Sequence, residues 1–305
     1  MAIRTGSARS DLLIGRSGAD TLSGLGGNDL LVGLHGTDTL FGGTGDDLLI
    51  GGRDADALFG GDDSDTASYE TSNGAVEIDL GAATATGGDA EGDTFSSVEN
   101  LIGTRYSDIL TGDGGRNSIL GENGADEIRG DARFLFGGDG EGDFLYGGKG
   151  DDWIYGDALG LASSSIGGGD TLYGGAGNDN LFGDAVGIIG GSLGGSDVLY
   201  GGKGDDILYG DASLILSSGG NSDRFVFAAG DGHDTIEDFR ASEHDIIDLA
   251  AYGFKSFARV QMYMTVSGSD LVIDLSAANG RAAGRDTLTI KNVTFLDQDS
   301  FFPFS

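Results

Sequence analysis

The sequence predicts an all-β fold: a right-handed parallel β-roll of short strands, closed at its C-terminal end by a β-rich cap. Three observations point there. Aspartate recurs at a fixed nine-residue spacing at Asp11, Asp20, Asp29, Asp38, Asp47, Asp56 and Asp65. A glycine stands five residues before each of them, at Gly6, Gly15, Gly24, Gly33, Gly42, Gly51 and Gly60, and leucine follows the first six at Leu13, Leu22, Leu31, Leu40, Leu49 and Leu58. Internal periodicity of this regularity outranks any local signal.

Each nine-residue unit, G-x-x-G-x-D-x-L-x, reads as one turn plus one strand. The glycines permit the positive φ of a tight turn. The D-x-L-x segment alternates polar and apolar, the pattern of a strand with one buried face. Two units then make one coil, with two parallel sheets enclosing the leucines and turns along both edges. Units i and i+2 stack directly.

Stacking explains the acid. Strands sit about 4.8 Å apart, so stacked aspartates about 5 Å apart repel strongly unless a cation lies between them. An ion midway lies about 2.4 Å from each turn, which suits calcium at 2.3–2.6 Å and not magnesium at about 2.1 Å. The expected ligands are the in-phase aspartates, from units i and i+2, together with backbone carbonyls of turn residues such as Gly24, Gly27, Gly33, Gly36, Gly42 and Gly45. Seven units allow about five such ions. The later ones are weakened by Asp54 and Asp63, which stand where a glycine with positive φ is wanted.

Composition agrees. The chain has 305 residues, of which 60 are glycine, one is proline and none is cysteine. Collagen is excluded by the missing proline, and disulfides and thiolate metal sites by the missing cysteine. The net charge of −33, from 50 acidic and 17 basic side chains, opposes binding to nucleic acid or anionic membrane. No stretch approaches the roughly 20 apolar residues of a membrane span, and the N-terminus lacks the apolar core of a cleaved signal peptide.

The runs GGTGDDLLI, GGKGDDWIY and GGKGDDILY resemble the nonapeptide repeats of the bacterial RTX family, hemolysin-type calcium-binding proteins. The resemblance implies a calcium-filled β-roll, export by a type I secretion apparatus from a Gram-negative bacterium, and an extracellular location.

The repeats divide the chain. Residues 1–68 form a first block. Residues 69–102 lose the phase and read as a bridging β segment, with AVEIDL at 75–80 as a strand. Residues 103–227 form a second block, resuming at Asp108, Asn117 and Asp126; Asn117 keeps an oxygen donor and loses a charge. A 27-residue period follows, in Asp152, Asp179 and Asp206 and in Asp143, Asp170 and Asp197, with Asp223 closing the second series. These residues are further candidate ligands, with carbonyls of Gly147, Gly150, Gly174, Gly177, Gly201 and Gly204.

Gly-Asp-Ala recurs at Gly130, Gly156, Gly183 and Gly210, each followed by an apolar run: RFLF, LGLA, VGII or SLIL. The extra residues form either a third strand, with successive insertions alternating edges, or a protruding loop, with all four along one edge, and the flanks SSSIGGG, GGSLGG and SSGG favour loops. On that reading the Asp126–Asp206 row is regular and the Asp143–Asp223 row, which carries the loops, is less so. The four apolar tips either make a ridge for a surface glycan or matrix component, or tuck back on the roll.

Residues 228–305 differ in composition. Parallel stacks need protected ends, and RVQMYMTV, SDLVIDL and DTLTIKNV read as cap strands. The F-x-F, GxGxDxIxDF and DxIDL patterns resemble the family's C-terminal cap and type I secretion signal. Arg224, Asp231, Asp234 and Asp238 are acid–base candidates at the roll–cap junction, where a structural role is the default.

Catalysis finds little support. The repeats begin at Gly6, H-E-x-x-H is absent, and His35, His233 and His244 are scattered. GGSLG around Ser192 matches G-x-S-x-G, but a nucleophile elbow requires a strand–turn–helix. The sequence therefore predicts a secreted, non-catalytic calcium-binding protein that folds on meeting extracellular Ca2+. An adhesion or host-interaction scaffold is the alternative, and a hydrolase or polysaccharide-modifying enzyme a more distant one.

Overall fold

A computed structural model describes residues 2–216, 220–276 and 285–304. Part of the SSGG flank, residues 217–219, lies outside the described residues. Contacts divide the chain into two compact units, Met1–Ala132 and Arg133–Ser305.

In the first unit the strands alternate between two parallel sheets. One contains Ile3–Thr5, Thr21–Gly26, Thr39–Thr44, Ala57–Asp62 and Thr94–Ser96; another contains Leu12–Ile14, Leu30–His35, Leu48–Arg53, Thr66–Ser68, Asn100–Ile102 and Ser118–Asn123. Partners such as Leu22↔Leu40 and Leu31↔Leu49 are 18 residues apart, so two nonapeptides complete one coil. Leu22, Leu31, Leu40, Leu49 and Leu58 are fully buried between the sheets. Each such burial stabilises by about 1.5–3 kcal/mol.

The bridging segment continues this stack. Phe95 pairs with Leu58 and Leu101 with Ala67. Between them, Glu77–Asp79 and Thr84–Thr86 form an antiparallel hairpin, which also pairs in parallel with Ile109–Thr111.

The second unit differs from the loop reading. Its coils have three strands. Phe144–Lys149, Thr171–Ala176 and Val198–Lys203 stack in one sheet, and Trp153–Tyr155, Asn180–Phe182 and Ile207–Tyr209 in a second. The apolar runs after Gly-Asp-Ala form a third, from Leu135–Phe136, Gly160–Ala162, Ala185–Ile188 and Ala212–Ile215. They are strands because Leu161, Ala185, Ile188 and Ala212 bury a small core of their own. The Ser/Gly-rich segments only join this third strand to the next coil. All the insertions lie along one side of the coil, as the loop reading also required.

In the cap, Thr287–Ile290 pairs in parallel with His233–Ile236, then antiparallel with Asp270–Asp274, which pairs antiparallel with Met264–Ser267. RVQMYMTV is therefore a strand only in its second half. Phe257–Gln261 is helical, with Val260 fully buried one turn after Phe257. Phe301 is buried and bridges to Ile247.

Leu49→Ala, which empties a fully enclosed position, is expected to cost about 2–5 kcal/mol in denaturant unfolding with calcium present. Leu12→Ala, at a position 60% exposed, should change stability by no more than about 0.5 kcal/mol. Equal effects at both sites would contradict the assigned core.

Candidate metal centre

Each turn brings its aspartate to the mouth of the following strand, where the carboxylate lies between coils. One oxygen is used by the backbone. The Asp11 amide donates to Asp29 Oδ1 at 2.7 Å, Asp20 to Asp38 at 2.6 Å, Asp29 to Asp47 at 2.7 Å, Asp38 to Asp56 at 2.7 Å and Asp47 to Asp65 at 2.8 Å. In the second unit Asp143 donates to Asp170, Asp152 to Asp179, Asp170 to Asp197, Asp179 to Asp206 and Asp197 to Asp223, at 2.7–3.0 Å. The Asp143–Asp223 row is thus as regular as the other, since the third strand keeps its coils in register.

The second oxygen is left over. Oδ2 of Asp29, Asp38, Asp47, Asp56 and Asp65, and of Asp179, Asp197, Asp206 and Asp223, is buried and accepts no hydrogen bond. An isolated buried carboxylate oxygen costs several kcal/mol. Those of Asp29, Asp38, Asp47, Asp179 and Asp197 share a cradle with a glycine carbonyl. A Cβ built on Gly33 would lie 2.5 Å from both Asp38 Oδ2 and Gly51 O, so those two oxygens are at most 5.0 Å apart. A calcium ion bonded to both at 2.3–2.6 Å fits that span. The same pairing recurs at Gly24, Gly42, Gly147 and Gly174, where the carbonyls belong to Gly42, Gly60, Gly174 and Gly201.

The later glycine of the turn does something else. Gly27 and Gly36 lie against backbone of the preceding coil, Gly177 faces Gly150 O and Gly204 faces Gly177 O. Carbonyls of Gly150 and Gly177 thus come close to the adjacent turn. Asp54 and Asp63 adopt the expected positive φ, 75° and 79°. Each carboxylate accepts an amide of the coil before, from Gly36 and Gly45 at 3.0 Å. Aspartate tolerates this conformation better than most residues.

Some expected ligands are already occupied. Asp11 Oδ2 accepts the amide and hydroxyl of Ser7, and Asp20 Oδ2 the Arg16 amide. Asp108 accepts from Val76 and twice from Thr104, and Asn117 uses Nδ2 on Glu99 O and Oδ1 on the Asp113 amide. Among the described residues no three His, Cys, Asp or Glu side chains converge on one point. Any ion here rests on carboxylate and carbonyl oxygens together.

The structure adds acids that the nonapeptide frame misses. Asp56 donates to Asp93 Oδ1 and Asp65 to Glu99 Oε2, carrying both rows into the bridging segment. Asp206 donates to Asp234 and Asp223 to Asp245, carrying them into the cap. Asp93, Glu99, Asp234 and Asp245 all stand two residues before a large apolar residue: Phe95, Leu101, Ile236 and Ile247. That spacing is the signal; glycines still precede Asp93 (Gly88, Gly92) and Asp234 (Gly230, Gly232), and none stands in the five residues before Glu99 or Asp245. Of the other junction residues, Arg224 pairs with Asp248, Asp231 accepts the Ala228 amide and Asp238 accepts amides of Gly210 and Asp211.

Ser192 is buried, and its Oγ accepts the Ser165 amide at 3.2 Å. It lies in a segment joining Ala185–Ile188 to Val198–Lys203, strand to strand. His233 and His35 are exposed.

Burial raises the acids. It is the largest cause holding Asp56 up at about 8, Asp65 and Asp179 at about 7 and Asp223 at about 9, with neighbouring aspartates adding to it. The ordinary carboxyl value is about 4, so the ion-free fold binds more protons than the unfolded chain between about pH 4 and pH 9. Its stability is present at low pH and lost as pH rises through that window. In chelator, circular dichroism should show more β-structure at about pH 4 than at about pH 8; the reverse order would contradict burial as the cause.

Gly33→Ala should displace Asp38 Oδ2 and Gly51 O together and raise the calcium midpoint for folding. Gly114→Ala, with nothing within 4 Å of the added carbon, should leave that midpoint unchanged.

Comparison with known proteins adds the following. The profile described as "RTX calcium-binding nonapeptide repeat (4 copies)" matches residues 5–40, 32–67, 100–132, 137–158, 166–185 and 193–213, just over half of the chain. Among solved structures, the extracellular lipase LipA from Serratia marcescens is similar at 19% identity and a TM-score of 0.28, over 97% of this chain and 38% of the lipase. The chain thus spans well under half the length of that enzyme, and at that score nothing about its chemistry follows. No curated protein matches it in sequence.

Proposed function

This chain belongs to the RTX family, whose nonapeptide repeats bind Ca2+ at multiple sites, and on that premise we propose that it is a secreted, non-catalytic protein whose folding is switched on by calcium. The observation that carries the reading is the ladder of buried Oδ2 atoms facing glycine carbonyls. The proposed ligands are the in-phase aspartates with the carbonyls of the first glycine of the next turn. Asp93, Asp234 and Asp245 extend the rows.

Without ions, 50 acidic side chains against 17 basic ones repel one another and keep the chain open, the state a narrow export channel needs. Where calcium is plentiful, binding and ordering become one equilibrium. The C-terminal resemblance supports export by a type I apparatus.

A second reading is favoured by one surface. The outer face of the third sheet holds an apolar groove of about 390 Å³, lined by Phe134, Phe136, Leu161, Ile189 and Leu214 among others. Phe136 is 71% exposed. Exposed apolar patches of this kind mark interaction surfaces, so a scaffold that adheres to a matrix component would use this face. Serine substitution of Phe136 and Leu214 should then abolish surface binding and leave calcium affinity unchanged.

The first reading is tested by circular dichroism during titration of the chelated chain with calcium and, separately, magnesium. A cooperative gain of β-structure is expected with calcium alone. A roll already folded in excess chelator would overturn it.

A further inference from the structure

The Gly-Asp-Ala tripeptides place one more acid at each three-stranded coil of the second unit, outside the nonapeptide phase. Asp157, Asp184 and Asp211 are spaced 27 residues apart and all are buried. They form a ladder at the start of the third strand. Asp157 Oδ1 accepts the Gly168 amide at 2.7 Å, and Asp184 Oδ1 accepts the Gly195 amide, so each carboxylate closes its own coil across the inserted segment.

Between coils, the Oδ2 of one acid faces the Oδ1 of the next. A Cβ on Gly167 would lie no more than 2.5 Å from both Asp157 Oδ2 and Asp184 Oδ1; one on Gly194 would lie no more than 2.5 Å from both Asp184 Oδ2 and Asp211 Oδ1. Two carboxylate oxygens therefore meet within 5.0 Å on the bare face of each glycine. Asp184 is the decisive member. It is wholly buried, its Oδ2 accepts no hydrogen bond, and among the described residues it has no ion pair.

The end of the ladder shows what such a rung requires. Arg240 Nη1 lies 2.8 Å from Asp211 Oδ2, putting a fixed positive charge against the last acid. Stacked anionic carboxylates this close repel strongly in a buried setting unless a cation lies between them.

We infer that Asp157, Asp184 and Asp211 form a further row of divalent-cation sites, one between Asp157 and Asp184 and one between Asp184 and Asp211. The all-oxygen donors and the span between them suit a calcium-sized ion bonded at 2.3–2.6 Å. Gly167 and Gly194 are glycines because a side chain would fill the sites. The row ties the third sheet to the coil and makes that sheet calcium-dependent. This inference rests on the calcium reading given above.

The test uses the full chain crystallised with calcium, with anomalous difference density read at both rungs and at the in-phase aspartates. Peaks at the two rungs are expected. Peaks on the in-phase rows with none at the rungs would overturn this inference alone; peaks at neither would overturn the calcium reading as well. In solution, Asp184→Asn should bind about two fewer calcium ions than the parent by calorimetry, with Gly114→Ala unchanged. A folded Asp184→Asn protein that keeps the full count would also overturn it, and if that variant fails to fold, the density decides.

Discussion

Like charges stacked one coil above another are the constraint on which the rest of this structure depends. A parallel roll repeats the same side chain at the same corner at about 4.8 Å intervals, so an acid at one turn is an acid at every turn. The arrangement holds together because carboxylates such as those of Asp29, Asp38 and Asp47 divide their two oxygens. One accepts an amide of the preceding coil and locks the register; the other is left in a dry cradle with a glycine carbonyl. The first is bonding within the protein. The second calls for a cation.

Other features follow from that corner. Glycine is needed where a side chain would occupy the cradle. Leucine two residues later points inward, because the strand alternates and one coil must close over an apolar core. The pairing persists where the repeat motif decays. Glu99 and Asp245 keep the amide-to-carboxylate register without the glycine-rich turn. Register therefore depends on the acid and its apolar neighbour two residues on, while the glycines shape the cradle. At the C-terminal end, antiparallel strands cover the last parallel strand edge, which would otherwise recruit another chain.

The second unit modifies the same design. Adding nine residues to each coil does not push out a loop; it builds a third side with its own small core of Leu161, Ala185, Ile188 and Ala212. Each corner of the three-sided coil then carries its own column of buried aspartate. The outer face of the new sheet is apolar and open, unlike the acid-rich edges, so one solenoid presents two chemically distinct surfaces.

Much was determined by sequence alone. A nine-residue period of glycine, aspartate and leucine dictates strand, turn, core and acid row, because the physics of each unit is local and repetition does the rest. Calcium followed from strand spacing and ion size. The tertiary structure decided what depends on neighbours distant in the chain. Whether LGLA and VGII became strands turned on whether successive copies could bury Leu161 against Ile188, 27 residues away. Which oxygens were free turned on donors from other coils: Asp38 keeps an unpaired oxygen, whereas Asp108 is satisfied by Thr104 and Val76. Glu99 and Asp245 lack the glycine signature, and only the pairing of Asp65 with Glu99 and of Asp223 with Asp245 exposed their role. A periodic sequence specifies its own repeat; the partners of an interrupted one are chosen by packing.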